Sequence, residues 1–429
     1  MLDSATTQVI GPIPTRSPGR RRARGSGVLI SGLLALILIG TALFAVAPLR
    51  RPLPAPAVTR AVPASMTIPG KAPVVPWPET GQAALMVEGV GSLGRSGGSK
   101  PVPIASVTKV MTAYVILTEH PLKRGEHGPK LTVSKERAAA YPAEQSRSES
   151  LVPVVAGAVF TERQALQAVM LPSANNMARI LAEWDAGSIE AFVEKMNDTA
   201  AALGMTNTHY TDPAGYDPGT VSTADDQVLL ARRAMKLPAF AEIVAQKQAT
   251  LPIAGVVRNY NSLVGQDGVV GIKTGSTDEA GGCLVFAAVV KVGGRKVTVV
   301  GAVLGQPGAN TPVQLARVFR VTRPLVRTAA AAVRVHPVVR AGDQVALVQG
   351  PLGAVTTLNA TEDLNVVGWP GLRVRLDVDV PEVPARLPAE TEHGRIKAVA
   401  GGVVSAAVPL RSGVELAAPS TWERIRRHR

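Results

Sequence analysis

Residues 103–114 read PIASVTKVMTAY. From Ser106 onward, Val107, Val110, Met111, Tyr114 and Val115 recur at the spacing that buries one helix face. The pattern predicts a helix that opens at Ser106 and stops before Pro121. Lys109 stands three residues beyond Ser106, so both polar side chains share one face. A hydroxyl at the positive end of a helix sits where developing negative charge is favoured. An ammonium cannot accept a proton, so Lys109 can act as a base only if burial and neighbouring cations lower its pKa.

Two further motifs follow in order: Ser173-Ala174-Asn175, after a helical stretch, and Lys273-Thr274-Gly275, at the end of the strand-like GVVGIKTG (268–275). Each is weak alone. Their order and their placement on plausible elements carry the signal. Lys273 would supply the second positive charge that Lys109 needs and would attract a substrate carboxylate.

With these residues in place the chain resembles the D-alanyl-D-alanine carboxypeptidases, the low-molecular-mass penicillin-binding proteins of serine peptidase family S11. The resemblance rests on PIASVTKVMTAY (103–114), LPSANNMA (171–178), LGMTNTHYTDPAGY (203–216), STADD (222–226) and GIKTGSTDEAGGC (271–283). It implies an α+β fold: a catalytic domain over 79–333, with an antiparallel sheet flanked by helices as in β-lactamases and penicillin-binding proteins, then a small all-β domain over 334–420. It also implies roles. Ser106 would attack the carbonyl of the penultimate D-Ala of a peptidoglycan stem peptide, and Lys109 would take the serine proton. Ser173 would relay protons, and Asn175 would hydrogen-bond substrate or Lys109. Lys273 and Thr274 would contact the terminal carboxylate beside Gly275. The backbone N–H groups of Ser106 and Ser276 would form an oxyanion hole. β-Lactams would acylate Ser106; no metal or other cofactor is implied. Two positions depart from many relatives, Asn176 for Asp after the S-x-N asparagine and Ser276 for an aromatic or histidine after K-T-G; both are expected on the site wall. No arginine completing the carboxylate pocket is identified. Three alternatives remain: a D,D-endopeptidase, a class A-like β-lactamase, and a catalytically silent wall scaffold. A class A enzyme needs a deacylating glutamate, and the nearest approach to its motif is Glu194-Lys195-Met196-Asn197.

Outward from this centre, Gly27–Ala47 reads GVLISGLLALILIGTALFAVA without a charge, long enough to cross a membrane. Arg16, Arg20, Arg21, Arg22 and Arg24 precede it, while only Arg50 and Arg51 follow closely. That bias predicts a basic cytoplasmic tail (1–26), a single-pass anchor (27–48) and an extracytoplasmic remainder. Nine prolines over 48–78 suggest an extended spacer, taken as 49–78. Further helices are expected from the capping pattern Thr161–Gln164, from Ser188 to Gly204, from Thr223 to Pro238 and over 312–332. Residues 83–90, 283–291 and 296–304 read as strands, the last two joined through Gly293-Gly294 as a hairpin. GVGSLG (89–94) matches a dinucleotide motif but lacks the helix that should follow, so a glycine-rich turn explains it better. Cys283 reads as a small buried hydrophobe.

The whole chain has 429 residues and a formal charge of +14. Residues 1–26 hold five of the arginines against one aspartate, and 421–429 end in Arg424, Arg426, Arg427 and Arg429. Much of the excess thus lies in two tails. With only 3% aromatic residues for base stacking, composition does not argue for nucleic acid. A single cysteine excludes an internal disulfide framework.

Overall fold

The computed structural model describes residues 31–41 and 52–426. Its central antiparallel sheet comprises β1 (Gln82–Val87), β2 (Gly91–Ser96), β3 (Val269–Thr277), β4 (Gly281–Val292) and β5 (Arg295–Gln306), in the spatial order β3-β4-β5-β1-β2. The helices that matter for the site are α1 (Lys109–Glu119), α2 (Glu162–Met170), α3 (Asn175–Ala186), α4 (Ile189–Leu203), α5 (Ala224–Ala234) and α6 (Thr311–Ala332).

β4 is apolar along most of its length because helices cover both faces of the sheet. Successive side chains on a strand point to opposite faces. Leu284, Phe286 and Ala288 pack into a core with Val318, Leu325 and Ala329 of α6. Cys283, Val285 and Ala287 enter the other core, with Met111, Leu166, Leu181 and Leu230 of the opposite helical layer. Gly293 and Gly294 turn β4 into β5 at φ +55° and +78°, a left-handed pair that glycine adopts without strain. Gly89 and Val90 of the GVGSLG stretch complete the turn out of β1, and its remaining residues open β2, with no helix following.

Local capping fixes the helix starts. Thr161 and Gln164 form the full reciprocal capping box of α2. Ser188 caps α4, which stops at left-handed Gly204, and Thr223 caps α5. α5 ends at Ala234, and Pro238 opens a separate short helix. Pro172 lies between α2 and α3, so the chain passes through Ser173 at φ +67° before Asn175 starts α3.

A second, seven-stranded antiparallel sheet follows α6. Its order is 57–60, 344–349, 355–360, 403–412, 392–400, 373–379 and 65–67. Both outer strands come from the proline-rich stretch expected to be a spacer, and the spacer reading of 49–78 is corrected accordingly. The prolines flank the strands instead of interrupting them: Ala57–Arg60 and Ser65–Thr67 contain none, while Pro56, Pro63 and Pro69 lie just outside. The Arg60 guanidinium bonds the carbonyls of Val62 and Pro63, in the connection between the two outer strands, and of Leu376 in the 373–379 strand.

The basic tail 1–26 and most of the expected anchor 27–48 lie outside the described residues. Within the anchor, residues 31–41 are helical and exposed; among the described residues no helix is long and apolar enough to cross a membrane. Of the C-terminal basic tail, Thr421–Arg426 is a short helix with Trp422 exposed.

Candidate active site

Ser106 does not open an α-helix directly. It lies in a 3₁₀ turn, Ala105–Thr108, and α1 begins at Lys109. The tighter turn has a packing cause. Ala105 is at φ +47°, and a Cβ on Gly215 would fall 1.9 Å from the Ala105 carbonyl oxygen. The loop carrying Gly215 is thus pressed against the backbone before Ser106, a contact that only glycine permits.

Lys109 is fully buried. Its Nζ donates to Asn175 Oδ1 at 2.7 Å and to the Ala214 carbonyl at 2.7 Å, and stands 2.8 Å from Ser106 Oγ. Those three oxygens match the three N–H bonds of an ammonium. When Lys109 is neutral, its two N–H bonds can serve Asn175 and Ala214. The lone pair then points at the Ser106 hydroxyl, which is the geometry of a general base.

Other groups hold each acceptor in place. Asp212 accepts from the backbone N–H groups of Ala214, Gly215 and Asp217, so the Ala214 carbonyl is presented by a loop wound around one carboxylate. Asn175 donates through Nδ2 to Glu149 at 2.9 Å, and Arg179 donates to the same carboxylate oxygen at 2.7 Å. Ser173 is buried immediately before Ala174 and Asn175, in the strained left-handed backbone between α2 and α3.

β3 forms the opposite wall. Lys273 lies in its middle, not at its end, because the ladder with β4 continues through Thr277. Lys273 is buried and donates to the Thr274 carbonyl at 2.9 Å; Thr274 is buried beside it. A Cβ on Gly275 would lie 2.9 Å from the Ile104 oxygen, 2.9 Å from the Val107 nitrogen and 3.1 Å from the Ser106 nitrogen. This absence of a side chain lets β3 run against the turn that carries Ser106, with Ser276 next in line. The Ser276 hydroxyl donates to Gln314 Oε1 and lies 3.2 Å from the Thr311 hydroxyl, so α6 holds it.

Burial, and then the nearby Lys273 charge, hold Lys109 well below the ordinary lysine range; Asp212 and Glu149 oppose this, and Arg179 adds to it. Burial alone lowers Lys273 to about 7. Both shifts run toward the neutral amine, and for Lys109 a lowered pKa is what a lysine base requires. The same core pushes the Cys283 thiol up to about 12, which fits a packing role.

The profile of the D-alanyl-D-alanine carboxypeptidase family matches residues 93–307. The chain belongs to this family. Among its relatives, a D-alanyl-D-alanine carboxypeptidase of Mycobacterium tuberculosis is 36% identical over 204 residues, 46% of this chain and 65% of that protein. Another, from Streptomyces sp. strain K15, is 35% identical over 216 residues, 46% of this chain and 71% of that protein. The chain thus spans just under two thirds of the mycobacterial relative's length. The fold is similar to that of penicillin binding protein 5 from Haemophilus influenzae, with a TM-score of 0.56 at 22% identity, covering 81% of this chain and 99% of that one.

Of the residues singled out in the sequence, Ser106, Lys109 and Asn175 form one hydrogen-bonded cluster, with Ser173 adjoining it in the chain. Gly275 brings the Lys273–Ser276 segment against that cluster. Asn176 is not on the site wall as expected. Its amide clamps the backbone N–H and carbonyl of Val152, pinning the loop before α2. Glu194 is exposed on α4, while Asn197 uses its amide to hold the Tyr210 backbone, so neither forms a deacylating pair. Four contributors escaped the sequence reading: Ala214, Asp212, Glu149 and Arg179. Asp212-Pro213-Ala214-Gly215 carries a turn signature that could have pointed to the first two; Glu149 and Arg179 have none.

Proposed function

We propose that this protein is a serine D,D-carboxypeptidase that removes the terminal D-Ala from peptidoglycan pentapeptide. The observation that carries the reading is the buried Lys109 amine, with two fixed acceptors and Ser106 Oγ at 2.8 Å. Lys109 takes the Ser106 proton as Oγ attacks the penultimate D-Ala carbonyl. The N–H groups of Ser106 and Ser276 stabilise the oxyanion. Ser173 passes a proton to the departing D-Ala nitrogen, which leaves as the free amino acid. Water then cleaves the acyl-enzyme and regenerates the Ser106 hydroxyl. Lys273 and Thr274 receive the terminal carboxylate; a carboxylate arriving beside Lys273 favours its charged form, which in turn helps keep Lys109 neutral. β-Lactams enter as mimics of the D-Ala-D-Ala end and acylate the same oxygen.

Residues 27–48 are proposed to anchor the chain with its N-terminus in the cytoplasm and the catalytic domain outside. The uncharged run and its flanking arginines support this reading. Release of D-Ala from a pentapeptide ending in D-Ala-D-Ala tests the activity. Wild-type protein should release it and Ser106→Ala should not; equal release by both would sink the assignment.

A further inference from the structure

The Asn175 amide decides how Lys109 is used, and an amide can face a lysine either way round. One orientation gives Lys109 an oxygen; the flipped one gives it an NH₂ group that cannot accept from the lysine. We infer that Glu149, held by Arg179 and Arg147, is the positioning residue that fixes this orientation and thereby aims the Lys109 lone pair at Ser106. This rests on the proposed role of Lys109 as base and extends it.

The Glu149 side chain is fully shielded from solvent. Its Oε2 accepts from Asn175 Nδ2 at 2.9 Å and from Arg179 at 2.7 Å, while Oε1 accepts from Arg147 at 2.7 and 3.1 Å. An ionised carboxylate only accepts, so it tolerates the Asn175 nitrogen and repels the oxygen. Flipping Asn175 would lose the Lys109 bond and face Oδ1 against Glu149, two unfavourable contacts for one rotation. Arg179 is itself fixed, donating its other arm to Glu144 at 2.9 Å. The paired guanidinium also makes a buried carboxylate tolerable so near the nucleophile.

The charges facing Lys109 come from four elements: Lys273 on β3, Asp212 on the loop packed against the 3₁₀ turn, Arg179 on α3, and Glu149 on the loop before α2. Glu149 favours the protonated lysine and Arg179 disfavours it. Deleting either charge therefore moves the Lys109 titration in a known direction. Glu149→Gln should lower it and Arg179→Gln should raise it.

The test uses isotope-labelled lysine in the otherwise intact protein. NMR titration of Lys109 is followed in wild type, Glu149→Gln and Arg179→Gln, alongside the pH profile of Ser106 acylation by penicillin. The ascending limb of acylation should move to lower pH in Glu149→Gln and to higher pH in Arg179→Gln. Glu149→Ala should slow acylation at the plateau by roughly 10- to 100-fold, with Glu149→Gln recovering part of that loss because it can still offer an oxygen. If Glu149→Ala does not fold, Glu149→Gln and Arg179→Gln still decide through their opposite shifts. Unshifted Lys109 titrations with acylation within about twofold of wild type would overturn the inference. If penicillin leaves wild-type Ser106 unmodified while the lysine titrations shift as stated, the carboxypeptidase reading fails and the positioning of Lys109 stands.

Discussion

Gly275→Ala tests whether the approach of β3 to the nucleophile matters as the geometry says. The added methyl would lie 2.9 Å from the Ile104 oxygen, 2.9 Å from the Val107 nitrogen and 3.1 Å from the Ser106 nitrogen. All three are backbone atoms of the turn that carries Ser106, so no flexible side chain can yield. Ordinary contact requires β3 and the turn to separate by about 0.3–0.5 Å, and forced overpacking of this kind costs about 1–3 kcal/mol. Gly275 has no left-handed backbone, so alanine adds no conformational strain there and the cost is steric. The displaced groups are the N–H donors proposed for the oxyanion and the segment holding Lys273. Since a misplacement near 1 Å can cost on the order of 100-fold in rate, half of that should slow Ser106 acylation by roughly tenfold. The assay is the second-order rate constant for penicillin acylation, with Tm by calorimetry as the control for folding. A variant that acylates within about twofold of wild type at unchanged Tm would refute the close approach.

Lys273→Met should separate catalysis from stability. Removing the cation raises the Lys109 pKa, so the ascending limb of acylation moves to higher pH and the rate at neutral pH falls. Stability moves the other way. Lys273 is lowered to about 7 in the folded chain against 10.5 for the free side chain, so between those values the unfolded state binds the extra proton and wild-type stability rises with pH. The penalty is fully present below pH 7; the variant should therefore have the higher Tm at neutral pH and a shallower rise with pH, the remainder coming from the similarly lowered Lys109. Calorimetry across pH 6–10 checks it, and a lower Tm at pH 7 would contradict it. In the second sheet, Arg60→Ala removes the guanidinium that bonds Val62, Pro63 and Leu376. It should lower the Tm of the β domain while leaving acylation of Ser106 within about twofold, since three charged-donor bonds are lost far from the site. Unchanged melting would show that the N-terminal strands need no such clasp.

The candidate site was legible because its residues stand in short, ordered motifs. Ser106 and Lys109 share a face at any helical pitch, and S-x-N and K-T-G stand on elements that capping and β patterning already located. Thr161, Ser188, Gly204 and Thr223 mark helix ends by side-chain chemistry that acts within four residues, so sequence suffices for them. What escaped depends on contacts between distant segments. Glu149 meets Asn175 across 26 positions through an irregular loop, and no local pattern announces that meeting. Asn176 follows a site residue yet turns its amide to Val152, because helical rotation between neighbours points it elsewhere. The proline-rich segment misled for a related reason. Composition described the residues around the two short strands, while pairing with 344–349 and 373–379, some three hundred residues later, decided what the strands themselves became.

The central claim is that Ser106 is the nucleophile and Lys109 its base. Intact-protein mass spectrometry after exposure to penicillin, followed by peptide mapping, tests it most directly. Wild type should gain one penicilloyl adduct located on Ser106; Ser106→Ala should gain none, and Lys109→Met should gain it far more slowly. No adduct on folded wild-type protein, or the same adduct on Ser106→Ala, would contradict the account.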